Sequence, residues 1–142
     1  MPDARKDFDM FAGLLPAFVA YITYLGSGLV LLAVFAKLYC WATPIDELKL
    51  IRENGHAAAI SFAGALLGFA LALTASALHL DHWDSFMLWG VLAMLVQILV
   101  HIAVSRFLKD LTLALNENNV AMGILAGAIQ LAAGLINAGA LS

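Results

Sequence analysis

Four long stretches of the chain carry no charged residue and set the framework for everything else. They are Met10–Ala36, Asn54–Leu80, Ser85–Ser105 and Asn118–Ser142. Each is longer than the roughly 20 residues that a helix needs to cross about 30 Å of hydrocarbon. Backbone groups inside a bilayer must be satisfied within the segment, and runs this long and uniform do not fit barrel strands. The pattern therefore predicts an all-α polytopic membrane protein with four transmembrane helices.

A further short helix is predicted between the first two spans. Thr43 suits its N-cap and Pro44 its first position. Apolar residues then recur every three positions with charged residues opposite them: Ile45, Leu48 and Ile51 against Glu47, Lys49 and Glu53. This pattern indicates an amphipathic helix at the membrane interface, although a plain helical linker fits the same residues.

The sequence also repeats itself. ENGHAAAISFAGALLG, starting at Glu53, returns in weaker form as ENNVAMGILAGAIQLA, starting at Glu117, without a gap at an offset of 64 residues. Such a duplication fixes the architecture. The chain then divides into a polar leader, residues 1–14, and two tandem two-helix repeats, residues 15–78 and 79–142. Both repeats should share one orientation around a pseudo-twofold axis along the membrane normal.

Composition supports a membrane protein and narrows its chemistry. Only 12% of the residues are charged, about half of the roughly 25% found in soluble domains. The sequence holds no phosphate-binding loop, dinucleotide fingerprint, zinc-protease helix or credible catalytic triad. No span carries a buried Asp, Glu or Arg, as proton-coupled transporters usually do. We therefore expect no enzymatic activity, no cofactor and no nucleic-acid partner.

The distribution of positive charge predicts an orientation. The seven Lys and Arg residues all lie outside the four uncharged stretches. Two are in the leader, and five follow the first and third spans: Lys37, Lys49, Arg52, Arg106 and Lys109. Because positive residues stay on the cytoplasmic side, both intra-repeat loops are expected in the cytoplasm and both termini on the outer side.

Small residues follow one face of the second and fourth spans, at alternating spacings of four and three. Such residues let helix backbones approach closely where lipid removes the hydrophobic drive for association. The predicted helix-packing positions are Gly64, Gly68, Gly123, Gly127 and Gly134.

Polar side chains share helix faces with these and neighbouring glycines. Gln97 and His101 lie on the third span, and Gln130 and Asn137 on the fourth. Polar side chains on membrane helices normally face the protein interior. Two interpretations stay open, namely hydrogen bonds between helices and a hydrophilic path through the bundle. By depth, Gln97 and Gln130 should meet near the middle of the membrane.

Two further groups of polar residues lie at the ends of the spans. Asn54 and Asn118 open the second and fourth spans; Asn is a preferred N-cap, while a pair of amides at the cytoplasmic mouth could instead bind an ion or headgroup. The outer turn contains possible ligands for a divalent metal. They are His79, Asp81, His82 and Asp84. Their spacing matches no established site, so we expect a solvated turn and no metal.

With these residues in hand, the chain resembles the YjfL-like bacterial inner-membrane family, also called domain of unknown function 350. The resemblance runs from about residue 15 to the end. It is carried by Thr43-Pro44, Glu47 to Ile51, Asn54, Ala57 to Ile60 and Gly64 to Gly68, then by Asn118-Asn119, Ala121, Gly123 and Gly134 to Ala138. It implies a four-helix inner-membrane protein whose outer side faces the periplasm, with no established activity. It also implies companions among envelope-stress and membrane-remodelling proteins of the phage-shock type.

Two functions follow as expectations. The first is a homo-oligomeric, non-enzymatic module, surrounded by lipid, that docks a cytoplasmic protein through residues 43–53 and 106–117. The alternative is a channel or facilitator for an ion or small solute, lined by Gln97, Gln130 and Asn137. A contiguous polar cavity would favour the channel, and a sealed bundle with prominent short helices would favour docking.

The orientation can be tested by cysteine labelling. Cysteines introduced at Lys49 and Lys109 should react with a membrane-impermeant reagent only from the cytoplasmic side, because these lysines follow the positive-inside rule. A cysteine at Asp81 should react only from outside. Labelling at Asp81 from the cytoplasm would reverse the orientation.

Overall fold

A computed structural model describes residues 4–80 and 82–141, with side chains from residue 12 onward. Within these ranges the chain forms only helices: α1 (Ala4–Ala42), α2 (Glu47–Arg52), α3 (His56–His79), α4 (Trp83–Phe107), α5 (Leu111–Asn116) and α6 (Val120–Ala140). Helices α1, α3, α4 and α6 are each long and apolar enough to cross a membrane. The predicted all-α, four-span class is therefore confirmed. Helices α2 and α5 lie beside each other at one end of the bundle, which we call the short-helix face.

Helix α1 begins earlier than the sequence predicts. Residues 1–14 were expected to be a separate leader, whereas the helix already starts at Ala4. Pro16 lies inside α1, where it removes one backbone donor, a loss that membrane helices tolerate. The division of the chain into repeats at residue 78 stays a prediction.

Equivalent helices of the two halves run side by side in the same direction. Residue numbers rise together along both pairs, as their contacts show: Ala57 with Gly123 and Gly68 with Gly134 between α3 and α6, Tyr24 with Phe86 and Tyr39 with His101 between α1 and α4. Two tandem units of the same orientation require this parallel arrangement.

Helices α3 and α6 meet backbone to backbone along a glycine seam. The seam consists of the positions singled out from the sequence: Gly64, Gly68, Gly123, Gly127 and Gly134. A methyl group placed on Gly64 would overlap the backbone of Gly127, and one on Gly134 would overlap the backbone of Gly68. Close approach of this kind is how helices associate in lipid, so the seam is the principal joint between the two halves.

Aromatic side chains fill the space between α1 and α3. The rings of Phe35 and Phe69 lie 4.7 Å apart between centroids, and those of Tyr39 and Phe62 lie 5.2 Å apart. The rest of α1 is mostly exposed along the outside of the bundle. Helix α3 is therefore the central element, with α1 on one side and α6 on another.

The short helices end in the same backbone turn. Asn54 and Asn118 both adopt the left-handed conformation, with φ of 65° and 56°. The Gly55 N–H donates to the Leu50 carbonyl oxygen at 2.8 Å, and the equivalent bond recurs 64 residues later. Asn tolerates the left-handed position that follows a helix. The prediction that Asn54 and Asn118 are the N-cap residues of α3 and α6 is therefore wrong, because those positions are held by Gly55 and Asn119.

Asn118 nevertheless caps a helix, in the other half of the protein. Its Oδ1 accepts a hydrogen bond from the Ala57 N–H at 2.9 Å, near the start of α3. Side-chain oxygens commonly satisfy the first free N–H groups of a helix in this way. Asn119 caps α6 itself, accepting from the Met122 N–H at 3.3 Å. The end of α5 thus helps to hold the beginning of α3.

The start of α2 also differs from the prediction. Its N-cap is Asp46, whose Oδ1 accepts from the Lys49 N–H at 3.0 Å. The predicted cap, Thr43, instead donates its hydroxyl to the Tyr39 and Cys40 carbonyl oxygens, both at 3.2 Å. Asp caps as well as Thr does, and a Thr hydroxyl can bond back to the preceding turn of its own helix.

The glycine seam gives a direct test of the α3–α6 joint. Gly64→Ala should destabilise the protein by about 1–3 kcal/mol, as overpacking typically does, because its methyl meets backbone atoms of Gly127. Gly26→Ala in α1 is the matched control, since nothing lies within 4 Å of its Cβ position. Thermal unfolding of the purified protein in detergent measures both. Equal stability of the two variants would show that the seam does not hold the helices together.

Candidate functional site

Polar side chains from five of the helices are buried together between the short-helix face and the middle of the bundle. Each is at most 2% exposed. This polar cluster consists of Tyr39, Glu47, Ser61, Gln97, His101 and Gln130. Glu47 lies at the short-helix end. Gln97 and Gln130 lie ten residues inside α4 and α6, which is about 15 Å at 1.5 Å per residue.

Tyr39 is the centre of the cluster. Its hydroxyl lies 3.3 Å from the Ser61 Oγ, and its ring lies against the His101 imidazole with 3.9 Å between centroids. The Gln130 amide faces both the Tyr39 hydroxyl and the His101 ring, although neither approach has the geometry of a hydrogen bond. One aromatic residue therefore brings together polar groups from three other helices.

Gln97 and Gln130 meet in the middle of the bundle. The Gln97 Nε2 donates to the backbone carbonyl oxygen of Gln130 at 2.9 Å, so the bond does not join the two side-chain amides. Asn137 lies apart from the cluster, toward the opposite end, where its Nδ2 donates to the Ala93 carbonyl oxygen at 3.4 Å. Of the polar residues selected from the sequence, the structure brings together Gln97, His101 and Gln130.

Glu47 faces the bundle, and the sequence-based placement on the outer face of α2 is wrong. Its side chain is fully buried, whereas Leu48 is 46% exposed. Ile51, one turn later, is half-buried on the same side as Glu47. The equivalent residues of α5 are Leu111 and Leu115, which are both buried. The two short helices therefore turn the same face inward, with a glutamate in α2 where α5 has a leucine.

The environment of Glu47 favours its neutral form. Burial raises the pKa of the Glu47 carboxyl, and the neighbouring Asp46 raises it further. The Thr43 hydroxyl and the amide of Glu47 itself act in the opposite direction. No Lys or Arg contributes among the described residues. The carboxyl group is therefore buried without a positive partner.

Several buried atoms of the cluster have no hydrogen-bond partner among the described residues. They are both carboxyl oxygens of Glu47, Oε1 of Gln97, both ring nitrogens of His101, and both side-chain polar atoms of Gln130. Buried polar groups are normally paired, and exceptions often mark functional sites. The cluster thus combines free donors and free acceptors in one buried place.

The turn between α3 and α4 shows no comparable arrangement. Among the described residues no group of three or more His, Cys, Asp or Glu side chains is placed to hold a metal ion. The His79 Nδ1 donates to the Ala75 carbonyl oxygen at 3.0 Å, and the Asp84 Oδ1 accepts from the Ser85 N–H at 2.9 Å. His82 is the N-cap residue of α4 without a side-chain bond, and Asp81 lies outside the described residues.

Comparison with known proteins places this architecture in a family. A family model described as Domain of Unknown Function (DUF350) matches residues 10–141. The chain belongs to the DUF350 family. It is similar to the UPF0719 inner membrane protein YjfL of Escherichia coli strains K12 and O157:H7. Each is 30% identical over 129 residues, which cover 91% of this chain and 98% of the relative. No solved structure matches the chain. This DUF350 member is therefore a multi-pass inner-membrane protein of an uncharacterised family.

The Gln97 bond can be tested with paired variants. Gln97→Met keeps the length of the side chain and removes the donor, so it should cost about 0.6 kcal/mol and at most about 2, as interhelical bonds in membranes do. Because the acceptor is a backbone oxygen, the cost should be the same in a Gln130→Met background. Unfolding free energies of the four proteins give the coupling. A cost that vanishes in the Gln130→Met background would show that the two side chains bond to each other instead.

Proposed function

We propose that this DUF350 protein is a non-enzymatic, oligomeric inner-membrane module that docks a cytoplasmic protein on its short-helix face. The distribution of charge carries the proposal. Apart from Asp84, every charged side chain that the structure describes lies at this face or, for Lys37, within two turns of it. The remaining described surface is apolar or uncharged. Among the described side chains, a polar partner therefore finds most of the charged groups at the short-helix face.

Two open grooves on the short-helix face offer binding surfaces. One, of about 470 Å³, lies between α2 and α5 and is lined by charges of both signs, among them Asp46, Lys49 and Glu53. The other, of about 500 Å³, lies between the ends of α1 and α4 and is lined by Trp41 and Arg106. Exposed aromatic and Arg side chains are typical of protein interfaces. The first groove falls within the segments 43–53 and 106–117 that the sequence suggests for docking. The second takes only Pro44, Arg106 and Thr112 from them and is otherwise lined by neighbouring residues of α1 and α4.

The interior of a single bundle favours docking over conduction. The glycine seam closes the space between α3 and α6. The polar cluster ends at Gln97 and Gln130, about halfway along the bundle. Toward the opposite end the core is mostly apolar, with Leu31, Leu73 and Phe86, and its polar side chains Ser76 and Asn137 are separate from the cluster. A solute would therefore meet a mainly apolar core after crossing half of the protein.

The orientation and the class of partner are part of the proposal. The Lys and Arg distribution supports a cytoplasmic short-helix face with both termini in the periplasm. The resemblance noted from the sequence supports a partner of the envelope-stress type. Self-association is supported by α1, which is mostly uncovered along its length and offers a long surface to a second copy.

Photo-crosslinking in cells tests docking and assembly together. A photoreactive amino acid at Lys49 or Thr112, on the two grooves, should give the same discrete product with a cytoplasmic protein. The same group at Leu25, exposed on α1, should give a product of twice the monomer mass. Leu78, which is 75% exposed at the opposite end of α3, is the control and should give neither.

Flux through proteoliposomes separates docking from the alternative function. A sealed bundle should leave the flux of K⁺ and small solutes at the level of protein-free vesicles. Flux above that level that is lost when Gln97 and Gln130 are both changed to Leu would replace docking with a facilitator. Absence of any crosslinked protein from both Lys49 and Thr112 would contradict docking directly.

A further inference from the structure

We propose that Glu47 and the polar cluster around it form a buried proton-binding site beneath the short-helix face. The ligand is a proton, and Glu47 is the residue that holds it. This site is independent of whether a partner docks above it.

The first argument is the lack of any positive partner for the Glu47 carboxyl. An ionised carboxylate inside a protein is stable only when it is paired or well hydrogen-bonded. Neither Glu47 oxygen has a partner of hydrogen-bond geometry among the described residues. The Thr43 hydroxyl and the Glu47 amide lie near the carboxyl, but no Lys or Arg of the described chain contributes to its electrostatic environment. A bound proton removes the charge, and it is the smallest species that can do so in a fully buried position.

The second argument is the nature of the neighbouring groups. The titratable ones are Tyr39 and Cys40 on α1, Asp46 before α2 and His101 on α4. None of them places a fixed positive charge beside Glu47. Helices α3 and α6 contribute a hydroxyl and an amide, which do not titrate. These groups offer N–H and O–H donors as well as acceptors. The hydrogen atoms of unpaired donors carry partial positive charge and repel a metal cation. Hard cations such as Na⁺ or Ca²⁺ prefer shells of oxygen acceptors, so the mixture fits a proton better than a metal ion.

The third argument comes from the equivalent positions of the other repeat. If packing at the inward face of a short helix required a carboxyl group, the other repeat would need one at the equivalent position. At the offset of 64 residues, Tyr39, Glu47, Ser61, Gln97, His101 and Gln130 correspond to Ala103, Leu111, Leu125, Ala33, Lys37 and Leu66. Five of the six counterparts are apolar. Of these counterparts only Leu111 is itself buried, so the comparison bears on Glu47 alone. The inward position of the other short helix is filled by an apolar side chain, which indicates that packing there does not require a carboxyl group.

Infrared spectroscopy of the purified full-length protein tests the proposal. At pH about 6, exposed Asp and Glu side chains with pKa values near about 4 are ionised. The wild-type protein should still show the carbonyl band of one protonated carboxyl group per chain. Glu47→Gln should abolish this band. Glu53→Gln is the matched control, because Glu53 follows the same helix but is exposed, and it should leave the band unchanged.

The pH dependence of stability gives a second measurement. Because the pKa of Glu47 is raised in the folded protein, the folded state binds the proton more tightly than the unfolded state. Its contribution to stability is therefore full at acidic pH and is lost as the pH rises from about 4.3, the ordinary value for Glu. The melting temperature of the wild type should fall over this range, and Glu47→Gln should remove that part of the fall while Glu53→Gln keeps it.

Three results would overturn the proposal. The first is a wild-type protein without the protonated carboxyl band at pH about 6, a test that stands even if Glu47→Gln does not fold. The second is a band that persists in Glu47→Gln. The third is loss of the band at constant pH when choline chloride is replaced by NaCl or KCl, which would identify the ligand as a metal cation.

Discussion

The backbone contact between α3 and α6 is the constraint on which the rest of the structure depends. Since glycines let the two backbones touch at this joint, the two helices start side by side, and Asn118 at the end of α5 can reach the first turn of α3. The same closeness positions the polar residues. The Gln97 amide lies over Gly68, where a methyl group would be 2.9 Å from its Nε2, and so it reaches the Gln130 carbonyl. The seam therefore fixes the cap at one end and the buried hydrogen bond in the middle.

The backbone of the two repeats is nearly symmetric, whereas the buried polar cluster is not. The short helices share their boundaries, their inward faces and their terminal turns at an offset of 64 residues. The polar cluster follows no such rule, since Tyr39 and Glu47 come from the first half while Gln97, His101 and Gln130 come from the second. Duplicated helices that pack in parallel place each half beside the other, so a single cluster can draw on both. The short helices therefore share a backbone, while only the first of them carries a buried carboxyl group.

The sequence predicted those features that depend on a pattern. Uncharged runs identified the spans, because lipid excludes charged side chains. Glycine spacing identified the α3–α6 seam, because close packing of two helices requires small residues on one face. Glu47 was misplaced because three apolar residues spaced by three suggested the opposite face of α2. Its repeat counterpart Leu111 was the available signal, since an apolar equivalent indicates an inward position. Asn54 and Asn118 were misassigned because Asn suits both an N-cap and a left-handed turn, and one sequence does not decide between them.

The anchoring of α2 connects the buried carboxyl to the short-helix face. A helix of six residues is not stable alone, so its position depends on what it buries against the bundle. Helix α5 buries Leu111 and Leu115. Its attachment depends on apolar side chains and not on the protonation of a buried group. Helix α2 buries Glu47 and, in part, Leu50 and Ile51, so its attachment is weaker when the carboxyl is ionised, because an unpaired buried charge is costly. The two short helices have the same backbone, yet only the attachment of α2 depends on a protonation state, that of Glu47. The segment of α2 also lines the charged groove with Asp46, Lys49 and Glu53. The protonation of Glu47 therefore affects the surface that is offered to a partner.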